Sequence, residues 1–269
     1  MKTRPMMTWT YRRWISSVRS VTATTERGTS SAPVNCPKKA PARKGLGGFL
    51  RSSNGQKVVM AVTGAVMVLF LVAHMLGNLK IFLGHGPFNE YAHALRTLAE
   101  PILPYRTLLT IAETGLFVSV VLHLWAAISL SRRASHARPV KYVAKKPQAG
   151  GYATHIMRWG GVTIVLYVVW HLLDLTFGVV NPKGFDSEPA DRMVAGFNAS
   201  RWYVTLIYVV AVVMVGLHLR HGIWSAFQTL GWANRARYRA LRATSTAVSV
   251  VLVLGFLSAP LAITFGFVK

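Results

Sequence analysis

The stretch KVVMAVTGAVMVLFLVAHMLGNLKIFL, residues 57–83, decides the fold because it is long and almost wholly apolar. A helix crosses the hydrocarbon core of a bilayer with about 20 mostly apolar residues. Four further stretches of this kind follow, and the glycines inside them are tolerated in membrane helices. The five predicted spans are residues 57–83, 105–131, 156–180, 202–226 and 246–268. The sequence therefore predicts an all-α integral membrane bundle with five transmembrane helices.

The composition agrees with a membrane protein. Hydrophobic residues make up 52% of the 269-residue chain. Charged residues make up 14%, whereas soluble domains have about 25%. The single cysteine, Cys36, lies in the polar N-terminal segment and excludes both a disulfide framework and a cysteine metal cluster.

The net charge of +23 is concentrated outside the predicted spans. Ten Lys or Arg fall within residues 1–44, six within 132–146 and four within 227–243, and Glu26 is the one acid among them. A strongly basic chain is usually interpreted as a nucleic-acid binder. Basic flanks of membrane spans explain the charge more simply, so we expect no nucleic-acid partner.

The acidic residues after the first span lie mainly in the other two connections, residues 84–104 and 181–201. We call the side of the bundle with the basic connections the basic end and the opposite side the acidic end. The positive-inside rule places the N-terminus and the basic end in the cytoplasm and the C-terminus outside. Residues 1–50 are predicted to form a basic, disordered segment, and residues 51–269 the membrane domain. The segment has a composition typical of a transit peptide, and a start codon assigned too early would give the same pattern.

One histidine lies well inside each of the first four spans, and none lies inside the fifth. The four are His74, His123, His171 and His218. Ionisable residues inside a span are costly and mark functional sites. A single intramembrane histidine is also compatible with a purely structural role, but four in four spans favour a common function.

Two of these histidines are predicted to lie nearer the acidic end. His74 is 17 residues after Lys57, about 25 Å along a helix. His171 is 13 residues after Arg158, about 20 Å along its helix. We call His74 and His171 the outer pair.

The other two are predicted to lie nearer the basic end. His123 is nine residues before Arg132, about 13 Å from the flank of its span. His218 is 16 residues after Trp202, about 24 Å from the opposite flank. We call His123 and His218 the inner pair.

Two imidazoles that face each other across a bundle core supply the two axial ligands of a six-coordinate haem. The spacing therefore predicts two bis-histidine haems, one for each pair. Zinc or di-iron sites need nearby carboxylates or cysteines, and the spans offer only Glu113 and Asp174. A proton relay of histidines and carboxylates is an alternative, but it does not explain the pairing by depth.

Three further residues are candidate contacts for haem propionates or quinone: His221, Arg220 and Arg158. His221 lies one turn from His218 and competes with it as a ligand, but His218 lies deeper in the span. Arg158 can alternatively snorkel to the membrane surface. Asp174, one turn from His171, is expected to be structural rather than functional.

Four stretches carry a resemblance to a known family: VAHMLGNLKIFLGHGPFNEYAHALR (72–96), ETGLFVSVVLHLW (113–125), MRWGGVTIVLYVVWHLLDLT (157–176) and GLHLRHGIWSAFQTLGW (216–232). In this order they resemble the single-chain, five-helix, di-haem cytochrome b anchor of bacterial succinate:menaquinone oxidoreductases and quinol:fumarate reductases. The pattern HLxxGxWS begins at His218, where the family has a haem ligand. The resemblance also pairs the first helix with the third and the second with the fourth.

The resemblance implies two haems b, menaquinone as substrate and a bacterial inner membrane location. It further implies an iron–sulfur subunit with its clusters on the cytoplasmic side, a flavoprotein subunit that holds FAD and the dicarboxylate chemistry, and a complex that is able to form a higher oligomer. The alternatives are a cytochrome b anchor of a hydrogenase, formate dehydrogenase or nitrate reductase, and a haem-free transporter.

Overall fold

The structure is a computed structural model, and it describes residues 45–137 and 150–269. Within these ranges the chain is helical and has no strand, which confirms the all-α prediction. The α-helices are α1 (Leu46–Arg51), α2 (Ser53–Asn78), α3 (His85–Thr97), α4 (Thr107–His136), α5 (Gly150–His171), α6 (Pro189–Gly196), α7 (Trp202–Thr229) and α8 (Tyr238–Thr264).

Five helical segments are long and apolar enough to cross a membrane, as predicted. They are Ser53–Leu83, Thr107–His136, Met157–Thr176, Ala199–Thr229 and Tyr238–Thr264. Each carries large apolar side chains on its outer surface; Leu69, Phe117, Leu166, Leu206 and Leu254 are all more than half exposed. Apolar side chains exposed along every long helix are consistent with a multi-pass protein whose surface faces lipid.

The helix ends differ from the predicted span ends. Helix α8 begins at Tyr238, eight residues before the predicted span, because its polar and basic first turns continue the helix beyond the apolar stretch. The third segment ends four residues earlier than predicted, at Thr176. There Gly178 has a φ of 66°, and a Cβ at this position would lie 2.6 Å from the backbone of Gly184. The chain turns sharply at Gly178, and the helix stops before it.

The third segment is also irregular at its end. The α-helix α5 stops at His171, and residues Leu172–Thr176 form a π-helical turn. The Phe177 N–H donates to the carbonyl oxygen of Leu172, five residues earlier, at 2.8 Å. Such π-turns occur frequently at functional sites.

Helices α2 and α7 form the centre of the bundle. Helix α7 packs against α2, α5 and α8, and α2 also packs against α4 and α8. Two glycines let α8 pack closely on its neighbours: a Cβ at Gly216 of α7 would collide with Val253 of α8, and one at Gly255 of α8 would collide with Met75 of α2. Small residues at helix interfaces are typical of membrane bundles.

The short helices α3 and α6 pack on each other at the acidic end. The His85 ring joins them to the last residue, with Nδ1 3.1 Å from the Asp191 carboxylate and Nε2 2.9 Å from the backbone oxygen of Lys269. The Ala190 N–H donates to the Asn89 side chain at 3.0 Å. The acidic end is therefore a packed layer across the ends of the long helices.

The predicted disordered segment lies mostly outside the described residues, which begin at residue 45. Its last residues belong to helix α1, Leu46–Arg51, which packs on α2. Most of the basic connection 132–146 also lies outside the described ranges.

Candidate functional site with two histidine pairs

The outer pair lies between helices α2 and α5. The ring centroids of His74 and His171 are 5.8 Å apart, and their planes are nearly perpendicular at 87°. His171 is the last residue of α5, directly before the π-helical turn. The structure thus brings together two residues that are 97 positions apart in the sequence.

The inner pair lies between helices α4 and α7. The ring centroids of His123 and His218 are 6.3 Å apart, and the ring planes are inclined by 56°. All four histidines are partly buried.

The helices that share a histidine pair are not closely packed neighbours. Helix α2 packs against α4 and α7, and α5 packs against α7, whereas α2 with α5 and α4 with α7 are not among the closely packed pairs. Each histidine pair therefore joins two helices across the bundle, over a space that backbone packing does not close.

The ring separations fit a metal ion held between two imidazoles. A ring nitrogen binds a first-row metal at about 2.0–2.1 Å and lies roughly 1.1 Å from its ring centre, so two opposed imidazoles on one metal have centroids about 6.3 Å apart. The observed separations are 5.8 Å in the outer pair and 6.3 Å in the inner pair. A direct N–H···N hydrogen bond of about 2.9 Å between the two rings would place their centroids no more than about 5.1 Å apart, so direct bonding does not explain their approach.

One histidine of the inner pair is oriented by a threonine of α2. His123 Nδ1 lies 3.2 Å from Thr63 Oγ1, and the Thr63 hydroxyl itself donates to the Val59 carbonyl oxygen at 2.7 Å. Because the hydroxyl hydrogen is used, Thr63 accepts a hydrogen bond from His123 Nδ1–H. This tautomer leaves Nε2 unprotonated and suited to bind a metal.

One histidine of the outer pair is oriented in the same way by a tyrosine of α7. His171 Nδ1 lies 3.1 Å from the Tyr208 hydroxyl oxygen. Tyr208 is buried, and its ring packs edge-to-face against Phe197 and Tyr167. A rigid hydrogen-bond partner on the second ring nitrogen is typical of metal-binding histidines.

The two remaining histidines have different surroundings. The His74 ring stacks on Phe70 at 5.3 Å and lies 5.7 Å from Phe256 of α8. His218 Nδ1 is buried and has no hydrogen-bond partner among the described residues. Buried polar atoms without a partner are rare in native structures, so the inner pair fits a group that the protein chain itself does not supply.

The glycine ten residues before His74 lies beside the inner pair. A Cβ built on Gly64 would lie 3.5 Å from His123 Cε1 and 3.7 Å from its Nδ1. On α5, a Cβ at Gly161 would meet no described atom within 4 Å. Gly64 therefore keeps side-chain atoms out of the region next to His123, whereas no described contact places Gly161 beside a histidine pair.

No described contact joins the three other candidate residues to the histidine pairs. Arg220 is exposed, and its Nε donates to Thr246 Oγ1 of α8 at 3.3 Å. His221 and Arg158 are exposed. Their roles toward propionates or quinone therefore stay predictions.

Asp174 lies in a buried ionic cluster at the acidic end. Its side chain is 0% exposed, and Oδ1 accepts hydrogen bonds from Asn181 Nδ2 at 3.2 Å and from the Arg201 guanidinium at 3.4 Å. The Asn181 amide also donates to the Arg192 carbonyl oxygen at 3.0 Å. Asp174 thus connects the π-helical turn to the segments that follow it.

Arg192 of α6 contacts the end of the third membrane segment beside this cluster. Its Nη1 donates to the Thr176 carbonyl oxygen at 3.0 Å, at the C-terminus of the third membrane segment, where positive charge is favourable. Burial lowers the pKa of the Arg192 guanidinium, the positive charge of Arg96 lowers it further, and Glu188 opposes both. The ordinary pKa of arginine is so far above 7 that Arg192 remains charged at pH 7.

Tyr208 and Thr63 are the two site residues that the sequence did not reveal. Their contacts join positions 37 and 60 residues apart, on different helices. The one signal in the sequence is a hydroxyl-bearing side chain inside an apolar stretch, and several other such residues in the spans do not contact a histidine.

No group of three or more His, Cys, Asp or Glu within the described ranges could hold a metal ion. A metal between the rings of either pair would therefore find at most two ligands of these residue types among the described residues. Comparison of the chain with protein-family models, with curated proteins and with solved structures finds no match.

Proposed function

We propose that the chain is a di-haem cytochrome b, the membrane anchor of a bacterial succinate:quinone oxidoreductase of the succinate dehydrogenase or fumarate reductase type. His74 and His171 would hold one haem b, and His123 and His218 the other. The anchor would carry electrons between an iron–sulfur subunit and menaquinone in the bacterial inner membrane.

One observation carries this proposal: two histidine pairs, each spanning a pair of helices that do not pack closely, at metal-compatible ring separations of 5.8 and 6.3 Å. A single structural histidine pair would be unremarkable in a bundle. Two pairs that draw on four different helices would supply two histidines to each of two haems.

When bound, a bis-histidine haem supplies one-electron transfer at a potential that its ligands and their surroundings set. The protein residues hold and orient it. Thr63 fixes the tautomer and ring plane of His123, and Tyr208 restrains His171. The apolar side chains around the rings, such as Phe70 and Phe256, keep water from the outer pair.

The partners follow from the resemblance and from the charge distribution. The iron–sulfur subunit would dock at the basic end, and the flavoprotein subunit, with FAD and the dicarboxylate chemistry, would bind to it. The positive-inside rule supports a cytoplasmic location for this end. Arg158, Arg220 and His221 would contact haem propionates or quinone.

The test is a haem-to-protein ratio for the complex purified through this chain, together with a reduced-minus-oxidised spectrum and identification of the co-purified subunits. We expect two b-type haems per chain, a flavoprotein and an iron–sulfur protein. His221→Ala is the matched control for His218→Ala, because it removes a histidine one turn away on the same helix.

Three results would contradict the proposal. A colourless protein from cells with intact haem supply would favour a transporter. A nickel or molybdenum partner subunit would indicate the anchor of a hydrogenase or formate dehydrogenase. Loss of haem in His221→Ala but not in His218→Ala would show that the inner pair is wrongly assigned.

A further inference from the structure

A cavity of about 410 Å³ lies at the basic end, where α7 ends and α8 begins. Its polar wall consists of Gln228, Asn234, Arg235 and Arg239, and its aromatic wall of Trp224 and Tyr238. Among the described residues, no carboxylate lines it. The ligand that suits this lining carries negative charge and has an apolar part.

The two cavity arginines are available for a ligand. Among the described residues, neither Arg235 nor Arg239 has a carboxylate within ion-pair distance. Arg242 is differently placed, because its Nη1 donates to the Tyr238 hydroxyl at 3.0 Å and its guanidinium lies 5.8 Å from the Tyr238 ring centre. Arg242 thus orients a wall of the cavity, whereas Arg235 and Arg239 present their donors to it.

The other polar wall residues supply further donors. The Asn234 Oδ1 atom accepts a hydrogen bond from the Arg237 N–H at 2.9 Å, which leaves the Asn234 NH₂ group for another acceptor. Guanidinium and amide N–H groups are suited to bind the oxygens of a phosphate group.

The position of the cavity selects a lipid rather than a soluble anion. It lies between the ends of two segments that are long and apolar enough to cross a membrane, Ala199–Thr229 and Tyr238–Thr264. Trp224 and Tyr238 pack edge-to-face at 4.9 Å beside it, as aromatic residues do at the level of lipid head groups. In the same connection Leu230 and Trp232 are 42% and 58% exposed, so apolar surface lies next to the charged wall.

We infer that this cavity binds the phosphate head group of an anionic phospholipid. Arg235 and Arg239 contact the phosphate, Trp224 and Tyr238 pack against the glycerol region, and the acyl chains lie along the outer surface of α7 and α8. Basic pockets between membrane helices bind such head groups. The inference does not depend on haem binding.

The test measures lipid binding to the purified full-length protein in a neutral detergent, by native mass spectrometry and thermal denaturation. The probes are phosphatidylglycerol, phosphatidylcholine and inorganic phosphate. We expect one phosphatidylglycerol to bind per chain and raise the melting temperature, with binding weakened about tenfold or more in Arg235→Gln/Arg239→Gln. Arg237→Gln is the matched control, because Arg237 belongs to the same connection and does not line the cavity; it should bind as the wild type does.

Several results would overturn the inference. Equal loss in Arg237→Gln would indicate diffuse attraction to a basic surface. Equal binding of phosphatidylcholine would remove the requirement for charge, and equal stabilisation by inorganic phosphate would indicate a soluble anion site. If the double variant bound lipid normally but no longer co-purified with a partner subunit, the cavity would be assigned to subunit docking. If the double variant does not fold, each single variant should weaken binding by a smaller factor, and wild-type binding in both would refute the site.

Discussion

His171 Nδ1 lies 3.1 Å from the hydroxyl oxygen of Tyr208, and Tyr208 is buried among aromatic rings. If Nε2 of His171 binds haem iron, Nδ1 carries the hydrogen and donates it to Tyr208. A hydrogen-bond acceptor on this nitrogen makes the imidazole a stronger electron donor and stabilises the oxidised metal.

Tyr208→Phe should therefore raise the midpoint potential of the outer haem. The hydrogen bond is worth about 0.5–1.5 kcal/mol, which sets an upper limit of roughly 60 mV for a one-electron couple. The phenylalanine ring preserves the packing against Phe197, so haem content should stay at the wild-type level. A redox titration followed by visible absorbance measures both potentials.

Thr63→Val is the counterpart for the inner pair, because it removes the acceptor of His123 Nδ1–H and retains a similar shape. It should raise the potential of the inner haem and leave the outer haem unchanged. A shift of the same haem in both variants would contradict the assignment of Thr63 and Tyr208 to different pairs.

The two histidine pairs have no residue in common, so they should lose haem independently. His171→Ala should reduce haem per chain by about half and leave one redox step. His123→Ala should also reduce haem by about half and leave the other step. The pyridine haemochrome assay gives the content, and redox titration identifies the surviving haem. Complete haem loss in either single variant, in a protein that still folds, would contradict independent sites.

The number of membrane helices and the contents of each histidine pair follow from simple sequence properties. An apolar stretch of sufficient length specifies a span, and the distance of each histidine from a charged flank gives its depth. His74 and His171 share one depth, and the structure places their rings 5.8 Å apart. Alternate spans run in opposite directions, so depth alone sorted the four histidines into two levels.

The hydrogen-bond partners and the helix ends required the three-dimensional structure. Nothing in the local sequence connects Thr63 with His123 or Tyr208 with His171, because each contact depends on the rotation of two helices about their axes. The π-helical turn after His171 is likewise not evident from the sequence; at its end the Arg192 guanidinium, which is 16 positions away, donates a hydrogen bond to the Thr176 carbonyl oxygen. The length of an apolar stretch predicts only the membrane-embedded part of a helix. The two polar turns at the start of α8 were therefore not predicted.

Asp174→Asn should lower thermal stability and leave haem content unchanged. The substitution removes the negative charge that faces Arg201 in a site with 0% exposure of the carboxylate. Loss of a charged hydrogen bond costs about 1–3 kcal/mol. The melting temperature of the purified protein and its haem content check the two parts of the prediction.

Arg201→Gln removes the same ion pair from its other side and is the control for Asp174→Asn. The two changes should lower the melting temperature by similar amounts, and the double variant should fall by less than their sum. Loss of the outer haem in Asp174→Asn would show that Asp174 acts on His171 rather than on the packing of the acidic end.

If both pairs hold haem as proposed, Gly64→Leu should remove the haem of the inner pair and spare that of the outer pair, although Gly64 is on the same helix as His74 of the outer pair. A Cβ on Gly64 would lie 3.5 Å from His123 Cε1, an ordinary contact, so Gly64→Ala should keep both haems. The longer leucine side chain would have to displace the His123 ring, and overpacking of this kind costs about 1–3 kcal/mol. Val66→Leu is the control, because Val66 is 41% exposed on the same helix and should tolerate leucine. Haem content and the midpoint potential of the remaining haem distinguish the outcomes. Loss of the outer haem in Gly64→Leu would mean that Gly64 lies next to the haem held by His74. Two retained haems would mean that the space beside His123 is larger than the macrocycle requires.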